Sequence, residues 1–141
     1  MSDLRERLAE KIKGPQLINF ATVTPEGRPW VRYVMAAGTP DLKLMFATFV
    51  GSRKVAHVEN NPEVHVTLGA TDPAAADTYV QLEGTAEISR EEGLKNALWN
   101  PNLEQYFNGP DDPNYCVCVV TPRRLELMGM TGMTPEVYEV E

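Results

Sequence analysis

The stretch LINFATVTPEGRPWVRYVMAA, residues 17–37, decides the fold class of this chain. It contains two runs of β-branched and apolar residues, 17–24 and 29–37, on either side of the short turn PEGR. Such runs around a tight Pro/Gly turn predict a β-hairpin. A second turn, GTPD, follows directly and leads into KLMFATF, residues 43–49. The sequence therefore predicts three consecutive antiparallel strands.

The strand pattern continues through the rest of the chain. Gly84 lies inside one of the later segments and is expected to mark a bulge or bend there. Most connections between the segments are too short for the crossover that two parallel strands need. We therefore expect a mainly β protein, a six- to seven-stranded antiparallel barrel with a few short helices, in a single domain spanning residues 1–141. The further strand-like segments are residues 63–70, 78–88, 115–122, 124–130 and 137–140.

Three short helices are expected around these strands. Ser2 is placed to cap the first helix, which carries an apolar stripe with one residue in four. The second helix follows Ser52 and is stopped by the sequence NNP. Ser89 and Glu92 have the S-x-x-E spacing of a capping box and predict a third helix over residues 89–99. We expect an exposed loop at residues 71–77 and a compact excursion with one helical turn at residues 100–114.

The composition restricts the classes of partner. A formal net charge of −7 and a pI near 4.9 argue against general nucleic-acid binding, which depends on basic surface. The sequence has no apolar run near the roughly 20 residues that a membrane-spanning helix needs. Its N-terminal segment is charged throughout, unlike a secretory signal peptide. We therefore expect a soluble, cytoplasmic protein.

Two basic residues stand at an unusual place in GSRKVAHVENNP, residues 51–62. Arg53 and Lys54 follow Ser52 at the start of the second helix, where exposed N–H groups form the positive end of the helix dipole. An anion bound there would make both cations favourable, and a phosphate could contact the N–H groups, the hydroxyl and both side chains. The alternative is that both side chains simply point into water.

Arg32 is a third candidate for the same anion site. It lies in the apolar segment WVRYVM, on the strand face that also carries Trp30 and Val34. A guanidinium among such neighbours needs a partner if it is buried. It is either a further arm of a phosphate site or a surface arginine whose stem covers apolar residues.

The remaining chemically active side chains favour ordinary structural roles. His57 is interpreted as a solvated helical residue and His65 as a strand residue, because neither has metal ligands at a recognisable spacing. Cys116 and Cys118 lie too close along one strand for an unstrained disulfide, and buried inert thiols are the favoured interpretation. We therefore predict no metal site and no catalytic side chain.

The order of these motifs resembles one known family. The segments RYVMAA, LMFATF, GSRKVAHVENNP and YVQLEGTAEI are similar, in this order, to the FMN-binding split barrels related to pyridoxamine 5′-phosphate oxidase. The later segment LWNPNLEQYFNGPDDPNYCVCVVTP resembles the general stress protein branch of that family. The similarity covers about residues 15–127.

The resemblance implies a cofactor, a set of residues that bind it, and an oligomeric state. It implies that FMN is bound, with its phosphate held by the arginines and the lysine noted above, and that Ser52 begins the helix at that site. It also implies that two strands run beside the isoalloxazine ring and the ribityl chain, and that a homodimer carries two flavin sites at its interface. The residues so implied are Arg32, Tyr33, Val34, Met35, Ala47, Thr48, Ser52, Arg53 and Lys54.

The chain departs from the oxidases of the family at the positions that bind their substrate. Ala37 stands where they have a lysine for the substrate phosphate, and the C-terminal GMTGMTPEVYEVE lacks their arginine and histidine motif. Met128 replaces a tryptophan, and Tyr79 replaces a glutamine that contacts FMN, with Gln81 close by. We therefore expect an FMN-dependent oxidoreductase for an unidentified small substrate or electron partner, not a true pyridoxamine-phosphate oxidase. A deazaflavin-binding reductase of the same fold and a non-catalytic, stress-related flavin-binding module remain alternatives.

Overall fold

The computed structural model describes residues 3–70, 78–129 and 134–140. This part of the chain contains three α-helices, one 3₁₀ turn and seven strands. The helices are α1 (Leu4–Ile12), α2 (Arg53–Asn60) and α3 (Glu92–Leu98), and the 3₁₀ turn spans Pro101–Gln105. The strands are β1 (Gln16–Val23), β2 (Pro29–Gly38), β3 (Leu44–Phe49), β4 (Glu63–Leu68), β5 (Thr78–Ser89), β6 (Tyr115–Gly129) and β7 (Glu136–Glu139).

The strands form one antiparallel sheet that closes on itself. The order is β3-β2-β1-β4-β5-β6-β7, and an additional pairing of β3 with β6 closes the first six strands into a barrel. The predicted hairpin is present, with β1 and β2 paired continuously from Gln16 opposite Ala36 to Val23 opposite Pro29. The expected fold, a mainly β antiparallel split barrel, is confirmed.

Alternate residues of the strands fill the barrel and cover one outer face. Inside, the Phe20 and Phe46 rings meet edge to face with centroids 4.9 Å apart, and Leu8 and Ile12 of α1 pack into the same core. Outside the barrel, Tyr115 belongs to a second apolar cluster on β6, which is covered by residues of α3 and the 3₁₀ turn. Two buried layers therefore lie on the two faces of β3 and β6.

One strand replaces the two strands that were predicted over residues 115–130. Although Pro122 lies within this segment, β6 runs without interruption from Tyr115 to Gly129. The pairing with β5 shifts register at Gly84, which lies opposite Pro122. A Cβ atom on Gly84 would lie 2.2 Å from the carbonyl oxygen of Thr121, so only glycine permits this approach. The predicted bulge or bend at Gly84 is confirmed: the register shifts there, and Arg123 is the extra residue on β6.

Two predicted helix starts change. The side chain of Asp3 caps α1 by accepting a hydrogen bond from the Glu6 amide at 2.8 Å, and Ser2 lies outside the described residues, as does the predicted loop 71–77. The capping box at Ser89 is wrong. Ser89 is the last residue of β5, and Glu91 is the residue before α3. The Ser89 hydroxyl instead accepts a hydrogen bond from the Glu91 amide at 3.1 Å.

Candidate functional site

A cleft opens where β2 and β3 separate. The two strands pair only at Ala37 with Met45 and at Gly38 with Leu44. Beyond these pairs β2 stays bonded to β1, and β3 stays bonded to β6 along its whole length. The gap between them is a cavity of about 590 Å³, within the range of small-molecule and cofactor sites.

The third wall of the cleft comes from the excursion between α3 and β6. Leu98 and Asn100 at the end of α3, and Leu103, Tyr106 and Phe107 in and after the 3₁₀ turn, line it opposite the strands. This excursion is tied to α3 by Lys95, whose Nζ donates to the Asp112 carbonyl at 3.1 Å. The cleft is therefore apolar along most of its length, with Lys54 at one end.

The structure places six of the nine candidate residues named from the sequence in the lining of this cleft, and the other three beside it. Tyr33, Val34, Met35, Ala47, Thr48 and Lys54 line it. Ser52 lies beside them, because its hydroxyl oxygen is 3.3 Å from that of Thr48. Arg32 adjoins the lining residue Val34 on β2, and Arg53 begins α2 next to Lys54.

The three basic side chains form an uncompensated cationic cluster. The pKa of the Arg32 guanidinium is lowered mainly by burial and, to a smaller extent, by the charge of Arg53. The pKa of the Lys54 ammonium is likewise lowered mainly by burial and, to a smaller extent, by the charge of Arg32. Within residues 3–70, 78–129 and 134–140, the ion pairs to arginine and lysine involve Arg7, Arg123 and Arg124, and none involves this cluster. Arg53 disfavours the charge of Arg32, and Arg32 disfavours the charge of Lys54, a repulsion that an anionic ligand would relieve.

The first turn of α2 adds donors to the same place. Ser52 is the residue before the helix, and its side chain makes no capping bond to the described backbone. The N–H groups of the first turn, including those of Arg53 and Lys54, therefore have no side-chain acceptor in this part of the chain. A phosphate at this position would meet backbone donors and the positive end of the helix dipole.

Arg32 is held by a hydrogen-bond network whose other members were not recognised in the sequence. Its Nη1 donates to the Phe20 carbonyl at 3.2 Å and to the Thr22 hydroxyl at 2.8 Å. Its Nη2 lies 3.5 Å from Nδ1 of His57, and the Thr22 hydroxyl lies 2.8 Å from the same nitrogen. Arg32 is thus half-buried and partnered, not a free surface arginine. The face assignment was right, because Trp30 also points to α2, with the Arg53 guanidinium 5.5 Å from its ring centroid.

The prediction that His57 is solvated is wrong. Its side chain is buried, with 9% of its surface exposed, and it faces Thr22 of β1. The helix is too short to show its buried face clearly from the spacing of apolar residues, and the partners of the histidine come from strands distant in sequence. One feature of the sequence could have indicated a buried polar contact at this place: Thr22 shares the inward face of β1 with Ile18 and Phe20.

The two thiols are buried, as predicted. Cys116 and Cys118 are free and buried, and burial raises the pKa of Cys118 to about 12. The Cys116 thiol donates to the Thr48 carbonyl at 3.5 Å, which ties β6 to the strand that lines the cleft. In the described ranges no group of three or more His, Cys, Asp or Glu side chains is placed to hold a metal ion.

An apolar surface adjoins the cleft on the outer face of the barrel. Leu17, Val31, Tyr33 and Met35 are 52%, 63%, 73% and 58% exposed. Met35 lies opposite Leu17 in the β1–β2 register, so these side chains share one face of the hairpin. We call these four residues the hairpin face. Two of them, Tyr33 and Met35, also line the cleft.

Comparison with known proteins agrees with this architecture. General stress protein 26 of Bacillus subtilis is 31% identical over 138 residues, which cover 98% of this chain and 97% of the relative. The crystal structure of General Stress Protein 26 from Bacillus anthracis superimposes with a TM-score of 0.83 at 30% identity, over 97% of this chain and 98% of that one. A solved F420 reductase shares the fold with a TM-score of 0.65 at 23% identity, over 89% of this chain and 98% of that one.

The match to the oxidases themselves is partial. Pyridoxine/pyridoxamine 5′-phosphate oxidase of Bacteroides thetaiotaomicron is 34% identical over 90 residues, which cover 63% of this chain and 41% of that enzyme. Among the described residues, no helix combines the length and the apolar character needed to cross a bilayer. The model of the family described as pyridoxamine 5′-phosphate oxidase matches residues 4–129. The chain therefore belongs to the pyridoxamine 5′-phosphate oxidase family, and among the relatives compared it is similar over nearly its full length to general stress protein 26.

Proposed function

We propose that the cleft binds FMN with its phosphate at the start of α2. The observation that carries this proposal is the cluster of Arg32, Arg53 and Lys54, which lacks a carboxylate partner in the described residues and adjoins a cavity of about 590 Å³. Charge-assisted bonds from such side chains to a phosphate are among the strongest in proteins. Ser52 and the first-turn amides would complete the phosphate site.

The flavin ring and the ribityl chain are proposed to lie between β2 and β3. Residues 33–35 of β2 line the cleft and are not paired with β3. Their backbone N–H and C=O groups on that side are therefore available to hydrogen-bond the polar edge of the flavin ring. Ala47 and Thr48 of β3 form the opposite side. The ring would rest against an apolar wall that includes Tyr106 and Phe107. Bound flavin would supply electron transfer, while the chain binds and orients it.

We further propose that two copies of the chain associate through the hairpin face. Its four large side chains are more than half exposed, and apolar side chains this exposed and contiguous favour a protein interface. Because Tyr33 and Met35 belong both to this face and to the cleft, a second copy would lie beside each flavin. This arrangement would give a homodimer with two sites at its interface.

The substrate is proposed to be a small molecule other than pyridoxamine phosphate. Ala37 lines the end of the cleft far from α2, where the described lining residues offer no cation for a second phosphate. The chain also spans less than half the length of the curated oxidase it matches. The function best supported is therefore an FMN-dependent oxidoreductase acting on an unidentified small substrate or electron partner. We also propose a cytoplasmic location, because free thiols such as the two buried cysteines are typical of reducing compartments.

Titration of the purified protein with FMN tests the cofactor, with flavin fluorescence as the readout. We expect a Kd of about a micromolar or lower, and the Arg53→Ala, Lys54→Ala double variant should bind about 100-fold more weakly or worse. The matched control is Arg5→Ala with Lys13→Ala, which removes the same charge from exposed residues outside the cleft. Absence of FMN binding, or equal loss in both double variants, would overturn the proposal.

Two alternatives have their own readouts. Deazaflavin also carries a phosphate, and the structural likeness to an F420 reductase favours including it. Clearly tighter binding of F420 than of FMN in parallel titrations would replace the cofactor while retaining the site. A non-catalytic module would bind FMN but leave it oxidised when NADH or NADPH is added without oxygen, whereas an oxidoreductase using these donors would bleach the flavin band near 450 nm.

A further inference from the structure

Arg32 has five N–H donors, and the protein uses only some of them. Nη1 donates both of its hydrogens, to the Phe20 carbonyl and to the Thr22 hydroxyl. Nη2 directs one hydrogen to Nδ1 of His57 at 3.5 Å. Within the described residues this leaves Nε–H and the second Nη2–H, which lie parallel on one edge of the guanidinium plane. That edge is the fork that binds a phosphate or carboxylate with two bonds.

The direction of each bond in the network follows from the chemistry of its members. A guanidinium only donates, so Nδ1 of His57 must carry its lone pair toward Arg32 for this contact to hold. The Thr22 hydroxyl accepts from Arg32, and its own hydrogen can bond Nδ1 of His57 at 2.8 Å in preference to the Trp30 carbonyl at 3.5 Å. The lone pair of Nδ1 is then shared between Thr22 and the more distant Arg32 Nη2. Each polar group in this chain of contacts has a partner of the correct sign.

Burial makes this arrangement specific. Thr22 is 2% exposed and His57 is 9% exposed, so water does not substitute readily for either group. The Arg32 Cζ atom lies 5.9 Å from the centroid of the Phe20 ring, which packs beside the guanidinium. His57 is also part of α2, the helix that begins with Arg53 and Lys54. The network therefore ties the position of Arg32 to the helix that carries the other two cations.

We infer that Thr22 and His57 are positioning residues for the phosphate site: they occupy two N–H groups of Arg32, the Phe20 carbonyl occupies a third, and the remaining two-donor edge is thereby turned toward the ligand. This inference rests on the proposed function, because it assumes that the phosphate of FMN is the anion. Neither side chain contacts the ligand. Both act through Arg32.

A merely structural role for Thr22 and His57 makes a different prediction. If the network only stabilised the fold, its loss would lower the stability of the protein and weaken every ligand of the cleft alike. A positioning role affects the phosphate contact alone. Riboflavin, which has the ring and ribityl chain of FMN without the phosphate, separates the two cases.

The experiment measures Kd for FMN and for riboflavin with four variants. Thr22→Val keeps the shape and removes the hydroxyl, while Thr22→Ser restores a hydroxyl. His57→Leu removes the acceptor, while His57→Asn places an amide oxygen near the position of Nδ1. We expect Thr22→Val and His57→Leu to weaken FMN about tenfold, equivalent to about 1.4 kcal/mol, and to change riboflavin less than twofold. Thr22→Ser and His57→Asn should recover most of the FMN affinity.

A double-mutant cycle with Arg32→Ala gives a second readout that needs FMN alone. Because Thr22 acts through Arg32, Thr22→Val should have less than a twofold effect on FMN affinity once Arg32 is absent. Equal weakening of FMN and riboflavin, or effects of Thr22→Val and Arg32→Ala that simply multiply, would overturn the inference while leaving FMN binding intact. Failure of the wild-type protein to bind FMN would instead overturn the proposed function.

Discussion

Replacing Lys54 by methionine should stabilise the free protein and weaken FMN binding at the same time. Lys54 lines the cleft and is half-buried, and its pKa is lowered by burial and by Arg32. The folded state therefore holds this proton less tightly than the unfolded chain, and the charged side chain costs stability at neutral pH. Methionine has a similar length and no charge, so it removes this cost.

The two effects have different magnitudes. We expect the free energy of unfolding without ligand to rise by on the order of 0.5 kcal/mol, the scale of partly exposed charge interactions, or about 2 °C in Tm. The gain should be complete at pH 7 and disappear near the ordinary lysine pKa of 10.5, where the wild-type side chain loses its charge in both states. Loss of one charge-assisted bond should weaken FMN by about 1.5–3 kcal/mol, or roughly 10- to 150-fold.

Urea denaturation without ligand and flavin titration of the same preparations measure both effects. Lys13→Met is the matched control, because Lys13 is exposed and does not line the cleft. It should leave the FMN affinity unchanged. The reasoning would be refuted if Lys54→Met lowered the stability of the free protein, or if it weakened riboflavin as much as FMN.

Three further predictions concern the barrel, its outer face and its thiols. Gly84→Ala should lower the free energy of unfolding by about 2 kcal/mol or more, because its Cβ would lie 2.2 Å from the Thr121 carbonyl oxygen. The control is Gly51→Ala, where no atom lies within 4 Å of the new carbon. Equal urea midpoints for the two variants would contradict this prediction. Met35→Glu should convert a dimer to a monomer by light scattering, since it places a charge in the exposed hairpin face; an unchanged mass argues against that interface. The thiol of Cys118, whose pKa is raised to about 12, should not react with a disulfide reagent at pH 8 until urea is added. Because the unfolded thiol ionises first, native stability should fall between pH 9 and about 12, and rapid native labelling would show that burial is incomplete.

The sequence predicted those features that depend on local pattern. Alternating apolar residues on both sides of PEGR were sufficient for the β1–β2 hairpin, and Ser52 with NNP bounded α2. The capping box at Ser89 failed because local spacing competed with strand pairing, and Ser89 lies opposite Val117 of β6 instead. That pairing joins segments far apart in the chain, which a local motif does not report.

The cations of the candidate site could be named from the sequence, but the residues that contact Arg32 could not. Arg32, Arg53 and Lys54 were visible because charged residues in those positions need an explanation. The burial of His57 could not be predicted from the sequence, because it depends on the approach of β1 and β2 to one side of a two-turn helix. The division of the sheet between β2 and β3 was implied by the family resemblance but not by the local pattern, since both segments have strand-like sequences throughout and only their pairing distinguishes them.

The closure of the barrel by β3 and β6 has a consequence for the order of folding during synthesis. β3 makes two pairs with its sequence neighbour β2, and its remaining pairs are with β6, where Leu44 lies opposite Val120. Contacts so distant in sequence form late, because a long loop must be closed before they contribute. The β1–β2 hairpin can form while the chain is still being made, whereas β3 lacks most of its partners until residues 115–120 have left the ribosome. The wall that carries Ala47 and Thr48 is therefore completed only after β6 has emerged, so the proposed binding of a ligand between β2 and β3 would require six of the seven described strands.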